Sequence, residues 1–207
     1  MKKNISENKI NTIIRNVIQE NISELDVYHG TTNNFDNFDV AYIGAGWGTS
    51  YGWGFYLTDN MEAAKQYSGN HIVMQVRIPD KKYLYYGKTV PKNERLRIAR
   101  LFFKYYTTED EYGKTAYSSP ESQKEFWLGE CIYLAEPGDG GDIYGGIASL
   151  LGSDKETSEF LYKIGYKGIC FPGSKGGTNI KFKNYVMFNP NDIEILNKTD
   201  YSKEETQ

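Results

Sequence analysis

Apolar residues recur every three or four positions near the N-terminus, from Ile10 to Ile22, and this spacing predicts an amphipathic helix. Two short β-favouring runs follow, at Leu25 to Tyr28 and at Phe55 to Thr58. The stretch between them is polar and rich in turn-forming residues, which predicts an irregular connection. The first part of the chain is therefore expected to combine a helix with short strands.

A short helix is predicted from Met61 to Tyr67, where Asp59 or Asn60 can cap the first turn because a side-chain oxygen accepts a backbone N–H. Further strands are predicted at His71–Ile78, Tyr83–Tyr86, Tyr166–Phe171, Asn184–Phe188 and Ile193–Leu196, with a flexible connection at Pro172–Gly177. Further helices are predicted at Pro91–Tyr106, Glu121–Leu134, Tyr144–Leu151 and Thr157–Ile164. Strands without regular βαβ alternation favour an α+β fold.

The chain has 207 residues, which is enough for one domain with a substantial core. We predict an N-terminal helical extension over residues 1–24, a domain over residues 25–196 and a disordered tail over residues 197–207. Cys131 and Cys170 lie far apart and outside any metal-binding spacing. Because no apolar leader or membrane-spanning run is visible either, the expected location is a reducing, cytoplasmic compartment without membrane contact.

Charge is unevenly distributed, although the net charge is only −3. Nine Lys or Arg and two acids lie between Arg77 and Lys104, whereas twelve acids and three lysines lie between Glu109 and Glu159. One basic and one acidic face are therefore expected. The basic segment, with Tyr105 and Tyr106 available for stacking, is a candidate surface for a nucleic acid, although such segments are more often a solvated face.

The most unusual stretch runs from Gly44 to Thr58 and contains five glycines and two tryptophans. Glycine permits close backbone approach, and aromatic rings offer flat apolar faces with a polar edge, so the stretch predicts a pocket for a flat ring. It lacks the strand before and the helix after that a dinucleotide-binding glycine loop requires, which excludes a doubly wound fold of that type.

Two histidines, His29 and His71, are too few for a metal cluster, and no metal is expected. His71 lies at a predicted strand start and has no special context. His29 ends a predicted strand beside Gly30, so that an imidazole and a backbone edge face the same space. A single histidine of this kind is more often structural than functional, and only its context can change that interpretation.

Four motifs supply the context: Tyr28-His29-Gly30-Thr31, Gly52-Trp-Gly-Phe-Tyr56-Leu-Thr58, Ala63-Ala-Lys-Gln-Tyr67 and Asn184-Tyr-Val-Met-Phe-Asn-Pro190. In this order they resemble the catalytic domain of ADP-ribosyltransferases of the diphtheria-toxin and poly(ADP-ribose)-polymerase branch, in particular small bacterial and phage members. The resemblance spans residues 25–196, with residues 79–155 poorly matched and expected to be a divergent helical insertion. It implies a split β-sheet core with flanking helices, and NAD as the substrate.

Carried over by motif, the resemblance implies that His29 bonds the nicotinamide-side ribose and that the Gly30 backbone holds the carboxamide. Tyr56 and Tyr67 would sandwich the nicotinamide ring. The remaining residues that the motifs place at the NAD site are Thr31, Gly54 and Ala64. Ala64 stands where the family often has a hydroxyl that binds the carboxamide, and Thr49, Ser50 or Thr58 are candidates to replace it.

The third catalytic position, usually glutamate on the last motif strand, is Asn184. An amide can form hydrogen bonds but has no charge and is no base, so polymer elongation is not expected and single transfer remains credible. Another carboxylate, such as Glu130 or Asp142, is a candidate to enter the pocket.

The leading hypothesis is therefore a mono-ADP-ribosyltransferase that uses NAD and modifies a macromolecule, as a bacterial toxin or anti-phage effector. The acceptor, protein or nucleic acid, stays undecided, and an antitoxin or inhibitor protein is a possible partner. The alternatives are an NAD glycohydrolase, with water as the acceptor, and a non-catalytic module that binds NAD or ADP-ribose.

Overall fold

The computed structural model describes residues 23–44, 50–107, 119–174 and 181–202, so the predicted helix at residues 10–22 lies outside the described residues. Seven strands are present: β1 (Glu24–Thr31), β2 (Phe55–Thr58), β3 (Ile72–Pro79), β4 (Tyr83–Tyr85), β5 (Gly168–Ser174), β6 (Lys181–Met187) and β7 (Glu194–Asp200). The helices are α1 (Met61–Tyr67), α2 (Lys92–Thr107), α3 (Pro120–Gly129), α4 (Gly140–Leu151) and α5 (Asp154–Lys163). The predicted α+β class is confirmed.

The strands form one sheet in the order β4-β5-β6-β2-β1-β3-β7, in which β4 and β5 are parallel and the other neighbours are antiparallel. β1 pairs with β3 from Glu24 to Thr31, but with β2 only at Tyr28 opposite Thr58. The sheet is therefore split into two halves, β1-β3-β7 and β2-β6-β5-β4, which diverge beyond that single pair. This split core is the one that the resemblance implies.

Two apolar cores follow from the alternation of side chains along the strands. One core contains residues from both halves of the sheet, among them Val27, Met74, Leu57 and Met187. The other covers the opposite face of β2, β6 and β5 with α2 to α5, which supply Phe102, Phe126, Ile147 and Phe160. Neighbouring residues of one strand consequently face different surroundings, and this decides where each candidate site residue points.

Local capping explains several boundaries. Asn60 accepts a hydrogen bond from the N–H of Ala63 and begins α1 at the predicted residue. α4 begins four residues before the predicted start, because Asp139 and Asp142 form a capping box that includes Gly140 and Gly141 in the first turn, although glycine is a poor helix former. The predicted helix at residues 121–134 is α3 followed by a separate 3-10 turn at Cys131–Ala135.

Two predicted strand ends were wrong. β5 continues to Ser174, through the first part of the predicted flexible connection, because residues 172–174 pair with β6. β7 continues to Asp200, so residues 197–200 are not a disordered tail. Its last residues are polar and partly exposed, and it is backbone pairing to β3 that extends the strand. Residues 79–155 are also not only helical, since they contain β4.

Candidate active site

The split between β1 and β2 is occupied by the side chain of His29. Beyond the Tyr28–Thr58 pair the two strands no longer pair, and the His29 Nδ1 instead lies 2.9 Å from the carbonyl oxygen of Tyr56. A carbonyl only accepts hydrogen bonds, so Nδ1 carries the proton and Nε2 of the neutral ring is an acceptor. The imidazole thus joins the two halves of the sheet at the point where their ladder ends.

The surroundings of His29 keep the ring neutral. Its ring packs edge-on against Phe38, with centroids 5.1 Å apart, and against Phe35 at 5.9 Å. Burial lowers the pKa of His29 below 6.5, and the bond to the Tyr56 carbonyl opposes this shift without reversing it. The ring therefore offers Nε2 as a hydrogen-bond acceptor at neutral pH, which suits a hydroxyl of a ribose.

Gly30 lies where helix α1 crosses β1. A Cβ at this position would come within 2.0 Å of the carbonyl oxygen of Ala64, so only glycine permits the helix to lie this close. Ala64 itself is 0% exposed, and its methyl group therefore does not face an open site. The helix ends at Tyr67, whose side chain is 62% exposed and is accessible to a ligand.

Tyr56 lies on the opposite face of the sheet from His29. Its hydroxyl donates to the carbonyl of Gly52 at 3.0 Å and accepts from the N–H of Tyr51 at 3.1 Å. Tyr51 in turn stacks on Phe171, with centroids 3.9 Å apart. The hydroxyl of Tyr56 is thus used to fix the loop at residues 50–53, and burial raises its pKa.

Asn184 lies on the same face as Tyr56, on the neighbouring strand and directly opposite Thr58. It is only 6% exposed, and its Oδ1 has no hydrogen-bond partner among the described residues. A buried polar atom without a partner costs about 1–3 kcal/mol. Such an atom is typical of a position where a ligand supplies the missing donor.

The other predicted site residues have local structural roles. The Thr31 hydroxyl accepts from the N–H of Asn33. Gly54 is buried, and a Cβ there would meet the carbonyl of Met187 at 2.4 Å. Thr58 is 1% exposed and donates to the carbonyl of Lys183, while Ser50 lines an open cavity and Thr49 lies outside the described residues.

The two carboxylates proposed to replace the missing glutamate do not enter this region. Asp142 accepts from the N–H of Asp139 in the α4 capping box, and Glu130 is exposed at the end of α3. Asp154 was not predicted, but it lines the cavity beside Tyr51 and Gly52, and its charge contributes to the raised pKa of Tyr56. No sequence motif marks Asp154, because it is brought there by the start of α5.

The family is decided by a match to a family model described as ADP-ribosyltransferase in polyvalent proteins, which covers residues 21–200. The chain belongs to this ADP-ribosyltransferase family. The predicted resemblance to ADP-ribosyltransferases is confirmed at this level, and the match includes the segment 79–155 that the motifs do not reach. The assignment to one branch, and Asn184 as the replacement for glutamate, stay predictions. No curated protein and no solved structure matches the chain.

Three arginines of the basic segment are engaged within the ADP-ribosyltransferase domain, whereas Lys81, Lys92 and Arg100 of the same segment are exposed. Arg77 pairs with Asp26, Arg97 pairs with Glu94, and Arg95 is buried and donates to the carbonyls of Ala135 and Val90. The two tyrosines proposed to stack on bases instead contact core rings: Tyr105 meets Phe160 and Tyr106 stacks on Phe126.

Within the described ranges, no group of three or more His, Cys, Asp or Glu side chains could hold a metal ion. Helices long and apolar enough to cross a membrane are also absent from the part of the chain that the structure describes.

Proposed function

We propose that this domain transfers a single ADP-ribose unit from NAD to a macromolecule. The observation that carries the proposal is the pair of polar groups on either side of β2: His29 of β1 is fixed to the Tyr56 carbonyl, and the buried Asn184 of β6 keeps an oxygen without a partner among the described residues. A toxin or anti-phage role belongs to the same proposal, and the family membership is compatible with it.

In the proposed reaction the bond between nicotinamide and the ribose C1 atom breaks, and its electron pair leaves with nicotinamide. The acceptor forms a bond to C1 and loses a proton to solvent. Nicotinamide is a good leaving group because it is cationic while attached, so the protein mainly has to hold and orient NAD. In this proposal NAD lies in the gap where β1 and β2 no longer pair and so reaches both faces of the sheet. His29 Nε2 accepts from a ribose hydroxyl, the Gly30 backbone holds the carboxamide, and the rings of Tyr56 and Tyr67 contact nicotinamide.

Asn184 replaces the charge of a carboxylate by a dipole. Its Oδ1 can accept from a ribose hydroxyl and place partial negative charge near the opening glycosidic bond, but it cannot take a proton. The proposal therefore requires an acceptor that is nucleophilic by itself, and it predicts single transfer without elongation. The same amide favours the second candidate, a domain that binds NAD or ADP-ribose without turnover.

A protein is the favoured acceptor. The nucleic-acid hypothesis depended on a free basic segment with stacking tyrosines, and Arg77, Arg95 and Arg97 are each engaged within the domain. A phosphate backbone attracts protein mainly through Lys and Arg that have no internal partner. The engaged arginines reduce the charge available to a phosphate backbone, and the proposal therefore takes a protein as the acceptor.

The test uses NAD labelled in its adenosine part, the purified chain and a whole-cell bacterial extract. Label that enters macromolecules and is released by protease but not by nuclease would support the proposal. Release by nuclease would identify a nucleic acid instead, and free labelled ADP-ribose as the sole product would identify a glycohydrolase. Calorimetric NAD binding without any product would favour the non-catalytic module.

A further inference from the structure

The loop at residues 50–53 is held by the helical layer as well as by its own strand. Both peptide groups of Trp53 are engaged: its N–H donates to the Tyr144 hydroxyl at 3.0 Å, and its carbonyl accepts from the Ser158 hydroxyl at 2.7 Å. Tyr144 belongs to α4 and Ser158 to α5. We call these two side chains the Trp53 clamp.

The clamp has a defined direction of hydrogen bonding. The Ser158 proton is used on the Trp53 carbonyl, so the Tyr144 proton points to the Asp154 carbonyl at 3.0 Å or to Ser158 Oγ at 3.1 Å. Tyr144 is 3% and Ser158 1% exposed, so water does not compete for these bonds. Burial raises the pKa of Tyr144 to about 12, which keeps its hydroxyl protonated at neutral pH.

The clamp is linked to Tyr56 through one residue of backbone. The carbonyl of Gly52, which precedes Trp53, accepts from the Tyr56 hydroxyl, and the same hydroxyl accepts from the N–H of Tyr51. Gly52 has φ +125°, and a Cβ there would lie 2.7 Å from Ile169 Cδ1 and 3.0 Å from the Tyr144 ring. The loop thus passes through a gap that only glycine fits, directly against Tyr144.

Packing supports this loop on one side only, because an open cavity of about 480 Å³ lies beside it, between Tyr51, Gly52, Tyr86 and α4. The hydrogen bonds of Trp53 with Tyr144 and Ser158 therefore add to this packing and fix the position of the loop relative to the helical layer.

We propose that Tyr144 and Ser158 are positioning residues which, through Trp53 and Gly52, hold Tyr56 in place for NAD, an inference that rests on the proposed function. Neither residue belongs to a motif of the sequence. Both residues act through the loop. Their loss should therefore displace the Tyr56 ring and weaken NAD binding more than it slows cleavage of the bond between nicotinamide and ribose.

The test uses Tyr144→Phe and Ser158→Ala in a Trp47→Phe/Trp127→Phe background, in which Trp53 is the remaining tryptophan of three. We expect the KM for NAD to rise about tenfold, with a smaller change in kcat, since each variant removes one buried hydrogen bond to the loop. We also expect the emission of Trp53 to shift to the red and its quenching by acrylamide to increase.

Tyr166→Phe is the matched control. Tyr166 is 6% exposed in the same helical core, and its hydroxyl donates to Glu94, away from the loop. We expect this variant to lose comparable thermal stability while KM stays within about twofold and Trp53 emission is unchanged. If Tyr144→Phe and Ser158→Ala behave like Tyr166→Phe in both readouts, the positioning role is overturned. A parent protein that neither binds nor consumes NAD would contradict the proposed function. The emission of Trp53 in the variants would then still show whether Tyr144 and Ser158 hold the loop.

Discussion

The helical layer and the split of the sheet differ in how they satisfy buried polar groups. In the helical layer, Arg95 donates to two carbonyls, Tyr166 donates to Glu94, and the Tyr144 hydroxyl accepts from the Trp53 N–H and bonds the Ser158 hydroxyl. Beside the split, on β6, Asn184 by contrast keeps a buried oxygen without a partner among the described residues. Buried polar groups with hydrogen-bond partners stabilise the fold, whereas a buried polar group without a partner indicates a position that a ligand can occupy.

Buried polar residues with partners, in the helical layer, and those without, beside the split, should respond differently to substitution, although composition does not distinguish them. Substitutions in the helical layer should lower stability and spare activity per folded molecule, except at the clamp. Substitutions at the split should lower activity and spare, or even raise, stability.

The largest effect is expected for His29→Ala. The substitution removes the acceptor Nε2 and the bond to the Tyr56 carbonyl, and we expect NAD turnover to fall by about a hundredfold or more. His71→Ala is the control, since His71 is exposed at the start of β3 and should leave turnover unchanged. Equal turnover in both variants, measured as nicotinamide release, would remove His29 from the site.

Arg95→Met should have the next largest effect, and on stability. Arg95 is 6% exposed and its charged donors satisfy the carbonyls of Ala135 and Val90, so we expect the free energy of unfolding to fall by about 1.5–3 kcal/mol. Arg100→Met, at an exposed position of α2, should change it little. Urea denaturation measures both. Turnover per folded molecule should not change in either variant. A large loss of turnover in Arg95→Met would contradict the distinction between the helical layer and the split.

Asn184→Leu should reverse that pattern. Removing the unpartnered amide recovers part of its desolvation cost, so we expect the free energy of unfolding to rise by about 1 kcal/mol while NAD turnover falls by about tenfold. Thr58→Val, directly opposite on β2, loses a hydroxyl that has a partner and should be destabilised by about 1 kcal/mol. A destabilised Asn184→Leu with normal turnover would show that Asn184 is an ordinary core residue.

The smallest effect concerns pH. Because the pKa of His29 is lower in the folded chain than its ordinary value of 6.5, the unfolded chain binds the proton more readily at acidic pH. Stability should therefore decrease as the pH falls below about 6.5, down to the folded pKa, and should not depend on His29 above that range. Urea unfolding of the parent and of His29→Gln at several pH values measures the difference, and identical slopes would contradict a depressed pKa.

The sequence predicted the strands and helix that carry local patterns, and α1 is correct to the residue because Asn60 caps it. It missed the true end of β7, whose polar residues are ordered by pairing with β3. It also missed the Trp53 clamp, because Tyr144 and Ser158 lie 91 and 105 residues from Trp53 along the chain. Contacts of that range follow from the assembled sheet and helices, and no local spacing encodes them.

The candidate site was predictable only as a set of residue types. The motifs selected His29, Tyr56 and Asn184, but not that the His29 ring bonds a carbonyl of β2 or that the Tyr56 hydroxyl holds its own loop. The two carboxylates offered as candidates to enter the pocket have local positions that the sequence did not indicate: Asp142 belongs to the α4 capping box, and Glu130 is exposed at the end of α3.

The most direct test of the central claim is the ratio of two products in one reaction, nicotinamide released and ADP-ribose bound to macromolecule. With bacterial extract as the source of acceptor, the account predicts one ADP-ribose attached for each nicotinamide released, and loss of both with His29→Ala. Nicotinamide released with all of the ADP-ribose free in solution, or NAD left intact, would contradict it.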